Sequence, residues 1–527
     1  MKRIALFLTL AIVSTSVLTS CHKDLDKLPP NTLAPDQVYK DEAGYKQVLA
    51  KVYGSMALTG NTGPAGSGDV AGIDEGTSDF LRLFWKAQEL STDEAIVAWN
   101  DPGIQDFHNM NWSSNNPMLI GLYGRCMYII TLSNEFLRES TADKVASRGI
   151  TGTAATNIAA MRAEARFVRA FQYWVLMDLY ANPGFATDAD AIGKFNPKQT
   201  NRTELFAFIE TELKAIEADL PAAKANAYGR ADKAAAWALL SRMYLNAKVY
   251  INQDKYTDAI TYSKKVIDVS GYSLLSDYRW LLLADNNVNN NEFIFTLNYD
   301  GVKTKNFGGT TFMVNASVGG DMDRNVSGLG GWGGIRTTKN LPQQFPDVNG
   351  NTDKRAQFFS AHNLEINNIS EFKDGYGVTK YRNRTRSGGF GADPDKTFAD
   401  VDFPVFRLAE MYLNYAEAVK RGGSGGSEAQ AIIYINNLRL RAYGNATGNI
   451  GSYDLPFVLN ERARELYWEG LRRTDLVRFG QFTEAAYLWP WKGGVKDGRA
   501  VEDFRKIYPI PAPEVAANPN LVQNPGY

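Results

Sequence analysis

Residues 162–180 constrain the fold more than any other stretch of this chain. Read at helical period, Phe167, Ala170 or Phe171, Trp174 and Met177 fall on one face, the pattern of a helix that buries an apolar stripe. Arg162, Arg166, Arg169 and Tyr173 recur at i, i+4, i+7 and i+11, which lines three guanidinium groups along a second stripe. Such a row needs acidic partners wherever it is even partly buried, because an unpaired charge away from water is costly. Residues 461–480 offer them, since Glu461, Glu465 and Glu469 repeat every four residues on a second aromatic-rich helical pattern. Two solvated helices with local ion pairs would gain little from them. The reading preferred here is that the two helices dock, acid row against base row, because both also carry aromatic faces that must be buried.

Other helical patterns surround this one. Residues 41–58 and 117–138 carry apolar residues at helical spacing, and residues 202–220 are amphipathic up to Pro221. Residues 229–274 form the clearest internal unit. Ala235, Ala236, Ala238, Leu239, Tyr244 and Leu245 make one helix, and Tyr256, Ala259, Tyr262 and Val266 make the next. Helix–turn–helix units with interlocked Ala and Tyr resemble tetratricopeptide repeats. Similar pairs are expected at 117–181, 403–443 and around 457–478. The predicted fold is therefore mostly α: a scaffold of degenerate tetratricopeptide-like repeats, with a right-handed superhelical course.

Between about 276 and 402 the helical period disappears. The strand-like fragment Phe293–Leu297 alternates there with Gly, Asn and Asp clusters. An irregular region this long in a compact body is usually functional, so the ligand is expected there. The chain divides as a leader (1–20), a tether (21–38), an N-terminal helical region (39–275), a loop-rich, strand-poor ligand-binding region (276–402), and C-terminal helices with a Pro-rich tail (403–527).

Composition excludes several functions. The formal charge is −1 with signs interspersed, which gives no footprint for nucleic acid. Three His and two Cys speak against a zinc site or a disulfide framework. Aromatics make up 12% of the chain, including ten Trp and 26 Tyr, and glycine clusters between residues 308 and 391. Large irregular loops presenting flat rings suit a sugar binder, although core packing uses most aromatics in any protein. At the N-terminus, Lys2 and Arg3 precede an apolar run too short to span a bilayer, followed by Leu18-Thr19-Ser20-Cys21. This is the layout of a secretory signal ending in a bacterial lipoprotein box, with Cys21 acylated and more than one acyl chain giving stable anchoring. No other stretch reads as a membrane span.

Five segments in order resemble the SusD/RagB family of Bacteroidetes outer-membrane nutrient-binding lipoproteins: the lipoprotein box; Arg162 to Phe167; Pro404 to Glu410; Glu461 to Gly470; and the tail from Tyr508-Pro509-Ile510-Pro511 to Tyr527. Four further segments resemble the family's starch-binding founder: Asp74 to Gly76, Glu89 to Glu94 with Ala98-Trp99, Asp300 to Asn306, and Tyr487 to Gly494. The resemblance implies a non-catalytic surface protein. It would sit as a lid on a TonB-dependent, SusC-like transporter, bind an α-glucan oligosaccharide and hand it over. It also implies a lipid anchor in the outer membrane facing outward. There the family uses acidic residues close behind the cysteine; here His22 and Lys23 precede Asp24 and Asp26.

By the same resemblance, the founder's arc of three aromatic rings falls on Trp99, Phe307 and Trp332. Pyranose C–H faces pack on such planes, and glycines beside Phe307 and Trp332 leave the rings open. A sugar-contacting arginine falls on Arg82, and the role of an asparagine replaced here by Pro102 passes to Asn100 or Asp101. Trp489 and Trp491 are assigned to packing, and Ser91 to Glu94 to a capping box at a helix start. Gly328 to Gly334 follows no strand and opens no helix, so it is not a phosphate loop. No cofactor is expected; for calcium, which the founder binds, one acidic ligand position falls near Asn287.

Two rival readings differ in class. A glycoside hydrolase needs two carboxylates flanking one bond, and no motif singles out such a pair. A helical-repeat scaffold could instead hold a peptide. Within the family, fructans, xyloglucan and glycosaminoglycans are alternative ligands.

Overall fold

The computed structural model describes residues 35–66, 68–193 and 195–527. The leader, the lipidation residue Cys21 and most of the tether lie outside these. The first long helix, Glu42–Ala57, starts where the Asp41 carboxylate accepts from Gly44 N at 2.9 Å. Pro117–Glu139 starts in the same way, with the Asn116 side chain accepting from Met118 and Leu119 and Pro117 in the first turn. It packs on Gly152–Leu179, the central helix, whose Phe167, Phe171, Trp174 and Met177 are all buried.

Two further helical pairs follow the repeat logic. Lys233–Leu245 pairs with Tyr256–Ile267, and Leu408–Lys420 with Glu428–Tyr443, while Tyr256–Ile267 and Leu408–Lys420 pack together across the sequence gap. Ala234, Ala235, Ala236 and Ala238 are fully buried, and close approach of the second helix is marked by a 2.8 Å hydroxyl contact between Ser241 and Ser263. Among the described residues, no helix is long and apolar enough to cross a membrane.

The strand expected at Phe293–Leu297 is present. Its antiparallel partner is Phe403–Arg407, every residue of both strands being buried. Residues 403–407 therefore do not begin a helix as expected. Pro404 is unsuited to a helix interior, and helix starts only at Leu408.

The predicted docking of the arginine row onto the glutamate row does not occur. Arg166 and Arg169 both grip Glu212, at 2.8 and 2.7 Å, from the neighbouring Arg202–Ala215 helix, and Arg169 and Arg162 reach Asp188 at 2.6 and 3.6 Å. Glu461, Glu465 and Glu469 pair elsewhere. Arg355 reaches Glu461 and Glu465 at 2.7 and 3.2 Å; Arg407 reaches Glu465, Glu469 and Glu292 at 2.7, 2.7 and 2.9 Å. Arg441 adds Glu292 and Glu465, and Lys380 adds Glu469 at 2.6 Å. Both rows needed counterions, but helical period does not encode which elements supply them. The glutamate row fastens the loop-rich region, the Phe293–Phe403 strand pair and the C-terminal helices to one another.

Nor is 461–480 one helix. Helix ends at Leu466, the chain turns through left-handed Trp468 (φ 64°) and Gly470 (φ 74°), and a short helix resumes at Arg472–Arg478. The turn is held from the segment read as a capping box. Glu94 accepts from Trp468 N at 3.0 Å and Glu89 from Gly470 N at 2.7 Å. Ser91 to Glu94 accordingly opens no helix, but follows the end of Phe80–Glu89. Burial pushes both carboxyls up, Glu94 to about 8 against the pull of Arg472.

Candidate functional site

A pair of two-residue strands builds one side of the site. Ile96–Val97 runs antiparallel to Ile335–Arg336, and Ala98 N donates to Gly334 O at 2.7 Å. This pairing sets Trp99 against the glycine loop that carries Trp332. The loop is pinned to the end of the Gly309–Ala316 helix: Trp332 N donates to Asn315 O at 2.6 Å, Gly333 N to Val318 O at 2.8 Å and Gly334 N to Ala316 O at 2.9 Å. Gly331 (φ 82°) and Gly333 (φ 61°) take the left-handed conformation on either side of Trp332. At Gly334 the requirement is space, because a Cβ there would lie 2.2 Å from the Trp99 ring.

Phe307 enters from the other side, at the end of the Asp300–Asn306 segment. The Asn306 side chain ties that segment to Ala57 O at 2.6 Å. Asp79 caps Phe80–Glu89 by accepting from Arg82 N at 3.2 Å, and also accepts from Gly309 N at 3.0 Å. One buried carboxylate thus joins the helix of Arg82 to the helix behind Phe307; burial pushes that carboxyl up, against these two backbone donors.

The structure brings the three predicted rings together. The Trp99 and Trp332 centroids are 6.4 Å apart with a tilt of 42°, and Phe307 lies 6.5 Å from Trp332 with a tilt of 55°. Trp332 occupies the middle and is 36% exposed, while its two neighbours are half-buried. These tilts make the array a bent shelf. A cavity of about 290 Å³ lined by Leu49, Tyr53, Met56, Tyr228 and Leu297 shares no residue with the arc.

Arg82 lies behind the rings. Its Nη1 donates to Gly76 O and Phe307 O, each at 2.9 Å, and its guanidinium sits 5.9 Å from the Trp332 centroid and 4.6 Å from that of Phe312. Burial pushes Arg82 down to about 10, with Asp79, Asp101 and Asp74 acting against it. Asn100 and Asp101 are exposed beside Trp99, whose carbonyl is held by Gln105 at 3.1 Å.

Sequence reasoning missed the layer that supports the arc. Phe312 is fully buried, 6.3 Å from Trp99, and Phe398 packs 5.4 Å from Phe307. Asn315 holds the loop through its side-chain oxygen, which accepts from Gly331 N at 2.9 Å. Phe312 and Asn315 sit in an ordinary helical pattern, and Phe398 in an Asp-rich loop, so no local signal marks them. Trp489 is buried and Trp491 donates to Ile366 O at 3.0 Å, both in packing positions. Among the described residues, no group of three or more His, Cys, Asp or Glu is placed to hold a metal ion. Asn287 is exposed.

A family model described as "SusD family" matches residues 352–527, and one described as "Starch-binding associating with outer membrane" matches residues 87–245. The chain is 35% identical to starch-binding protein SusD of Bacteroides thetaiotaomicron, over 98% of this chain and 97% of that protein. A SusD homolog from the same species superposes with a TM-score of 0.74 at 19% identity, covering 94% of this chain and 98% of that one. Surface glycan-binding protein A of that species, solved in complex with laminarihexaose, gives 0.70 at 21% identity, covering 92% and 99%. At these identities the two solved structures bear on the fold alone.

Proposed function

Since this chain belongs to the SusD family, we propose that it captures starch-like α-1,4-glucan oligosaccharides at the cell surface and delivers them to a TonB-dependent, SusC-like transporter, without catalysis. The observation that carries this reading is the Trp99–Trp332–Phe307 shelf, two ring-to-ring steps of 6.4 and 6.5 Å with tilts of 42° and 55°. A pyranose packs its C–H face on an aromatic plane, as apolar groups do on any flat ring. Successive tilted planes suit a coiled glucan better than an extended chain. Arg82 keeps the Phe307 backbone in place, and Asn100 and Asp101 offer polar contacts at the Trp99 end.

Lipid anchoring through Cys21 in the outer membrane belongs to the same proposal. Metabolic labelling with a fatty acid, lost in Cys21→Ser, tests it, and co-purification with a SusC-like transporter tests the partner. A hydrolase reading finds no support in the most perturbed carboxyl pair, because Glu89 and Glu94 are both buried in the core. Prolonged incubation with starch should therefore yield no new reducing ends.

Calorimetry with maltoheptaose, laminarihexaose, levan and xyloglucan tests the ligand. Saturable binding of maltoheptaose in preference to the other three is expected. Preference for another glycan would keep the shelf and overturn the starch assignment.

A further inference from the structure

A second surface feature shares no residue with the aromatic arc. Arg382 and Arg384 alternate along an extended segment, so their side chains share one face, and Arg386 joins them from the turn that follows. The segment is fixed by backbone bonds to its neighbour: Arg382 N donates to Leu282 O at 3.0 Å, and Ala284 N to Arg384 O at 2.9 Å. Beyond Arg384 the chain turns back tightly, with Thr385 N donating to Gly389 O at 3.0 Å. The three arginines face an open cavity of about 470 Å³, whose other walls include Trp280, Asp323, Asn325 and Val326.

These three arginines outnumber the one carboxylate in the cavity wall, Asp323. Among the described residues, no carboxylate lies within ion-pairing distance of any of the three guanidiniums. Arg382 Nη2 meets only Arg279 O and Gln357 Oε1, at 3.1 and 3.4 Å. Arg384 reaches Gly388 O and lies 4.0 Å over the Phe390 ring. Arg382 Nε and both Nε and Nη2 of Arg386 have no hydrogen-bond partner. Two nearby carboxylates form no ion pair with these guanidiniums: Asp323, in the cavity wall, caps Asn325 N at 2.9 Å, and Asp285 accepts from the backbone N of Arg386 at 3.1 Å. Arg279, on the rim, is neutralised by Asp277 at 2.6 Å. By contrast, Arg355, Arg407 and Arg478 are matched with acids, and the buried Arg82, Arg336 and Arg473 donate to backbone carbonyls. Burial, and then the like charge of Arg279, push the Arg382 guanidinium down.

From this geometry we propose that the Arg382–Arg384–Arg386 cavity is an anion site that takes a tetrahedral oxyanion, a phosphate or sulfate group. Guanidinium forks match such groups through paired, charge-assisted hydrogen bonds. The open cleft admits the group on a larger carrier, either a substituted sugar or a lipid headgroup. The Gly328 turn after Val326 packs against Asn383 O, between Arg382 and Arg384, so closely that a Cβ there would lie 2.3 Å from that oxygen.

The test is titration of the full chain with inorganic phosphate, sulfate, glucose 6-phosphate and glucose, and flotation with vesicles containing phosphatidylglycerol. Saturable, salt-sensitive binding of at least one phosphate or sulfate carrier, with none for glucose, is expected. Each of Arg384→Gln and Arg386→Gln should weaken it by about tenfold, the scale of one charge-assisted contact. Lys264→Gln, on the Tyr256–Ile267 helix away from this cavity, should leave it unchanged, and maltoheptaose affinity should hold in all three variants. Tighter binding of glucose 6-phosphate than of phosphate would identify a sugar as carrier; vesicle binding lost in the variants would identify a headgroup. Absence of saturable anion binding, or equal binding in the arginine variants, would overturn the proposal. Because glucan binding is read separately, failure here and failure of the starch assignment are distinguishable.

Discussion

Gly334 lies so close to Trp99 that a Cβ on the glycine would sit 2.2 Å from the indole. The orientation of a proposed ligand-stacking ring thus depends on a residue with no side chain, 235 positions away in the sequence. Gly334→Val should displace the Trp99 ring and weaken maltoheptaose binding by about the same factor as Trp99→Ala. In a Trp99→Ala background the valine should cost little more, since coupled sites are non-additive. Additive losses would mean that the glycine acts by some route other than the ring.

The Lys86 ammonium is fully buried, with the Met118 sulfur at 3.4 Å as its hydrogen-bonding contact. Burial, and then the Arg82 charge, push its pKa well below the usual lysine value, against Asp101, Asp79 and Asp74. The unfolded chain then binds a proton more readily than the folded one at neutral pH, so this lysine lowers stability there, and stability rises as pH approaches 10.5. Lys86→Met should stabilise by roughly 1–3 kcal/mol at pH 7, the cost of a poorly partnered buried polar group. Thermal melts at pH 7 and 9 check this, with the variant's advantage narrowing at the higher pH.

Glu465 receives Arg407 at 2.7 Å, Arg355 at 3.2 Å and Arg441, all inside the body. Glu465→Gln keeps the shape but leaves these guanidiniums short of one charge. It should destabilise by roughly 3–5 kcal/mol, the range for breaking one partner out of a buried pair. Chemical denaturation measures the loss.

Glu461 gives the corresponding pH signature. Burial pushes its carboxyl up, but Arg355, Arg464 and Arg439 outweigh burial and hold it at about 2, against 4.5 in an unfolded chain. Its contribution is complete above pH 4.5 and is lost as pH falls toward 2. The melting temperature of Glu461→Gln should therefore depend less on pH between 4.5 and 2 than that of the wild type.

Much of the architecture could be read from side-chain period. The central helix, the Ala-rich pair at 229–274 and the Phe293–Leu297 strand all announce themselves through local pattern. Partner choice does not. Arg166 and Glu465 were each identifiable as needing a counterion, yet Glu212 and Arg407 become those counterions only through tertiary packing. Ser91 to Glu94 misled for a related reason: a local capping pattern was present, but the Glu94 carboxylate, together with Glu89, serves a backbone turn at Trp468 and Gly470 in the distant C-terminal part. At the candidate site, the glycines beside Trp332 marked an open ring. The two-residue strands that bring Trp99 to it are too short to leave a periodic trace.

The bent aromatic shelf is tested most directly by titrating Trp332→Ala with maltoheptaose in a calorimeter, alongside a thermal melt. Removing the middle ring should abolish detectable binding while leaving the melting temperature nearly unchanged, because this indole is 36% exposed. Wild-type affinity in the folded variant would contradict the account.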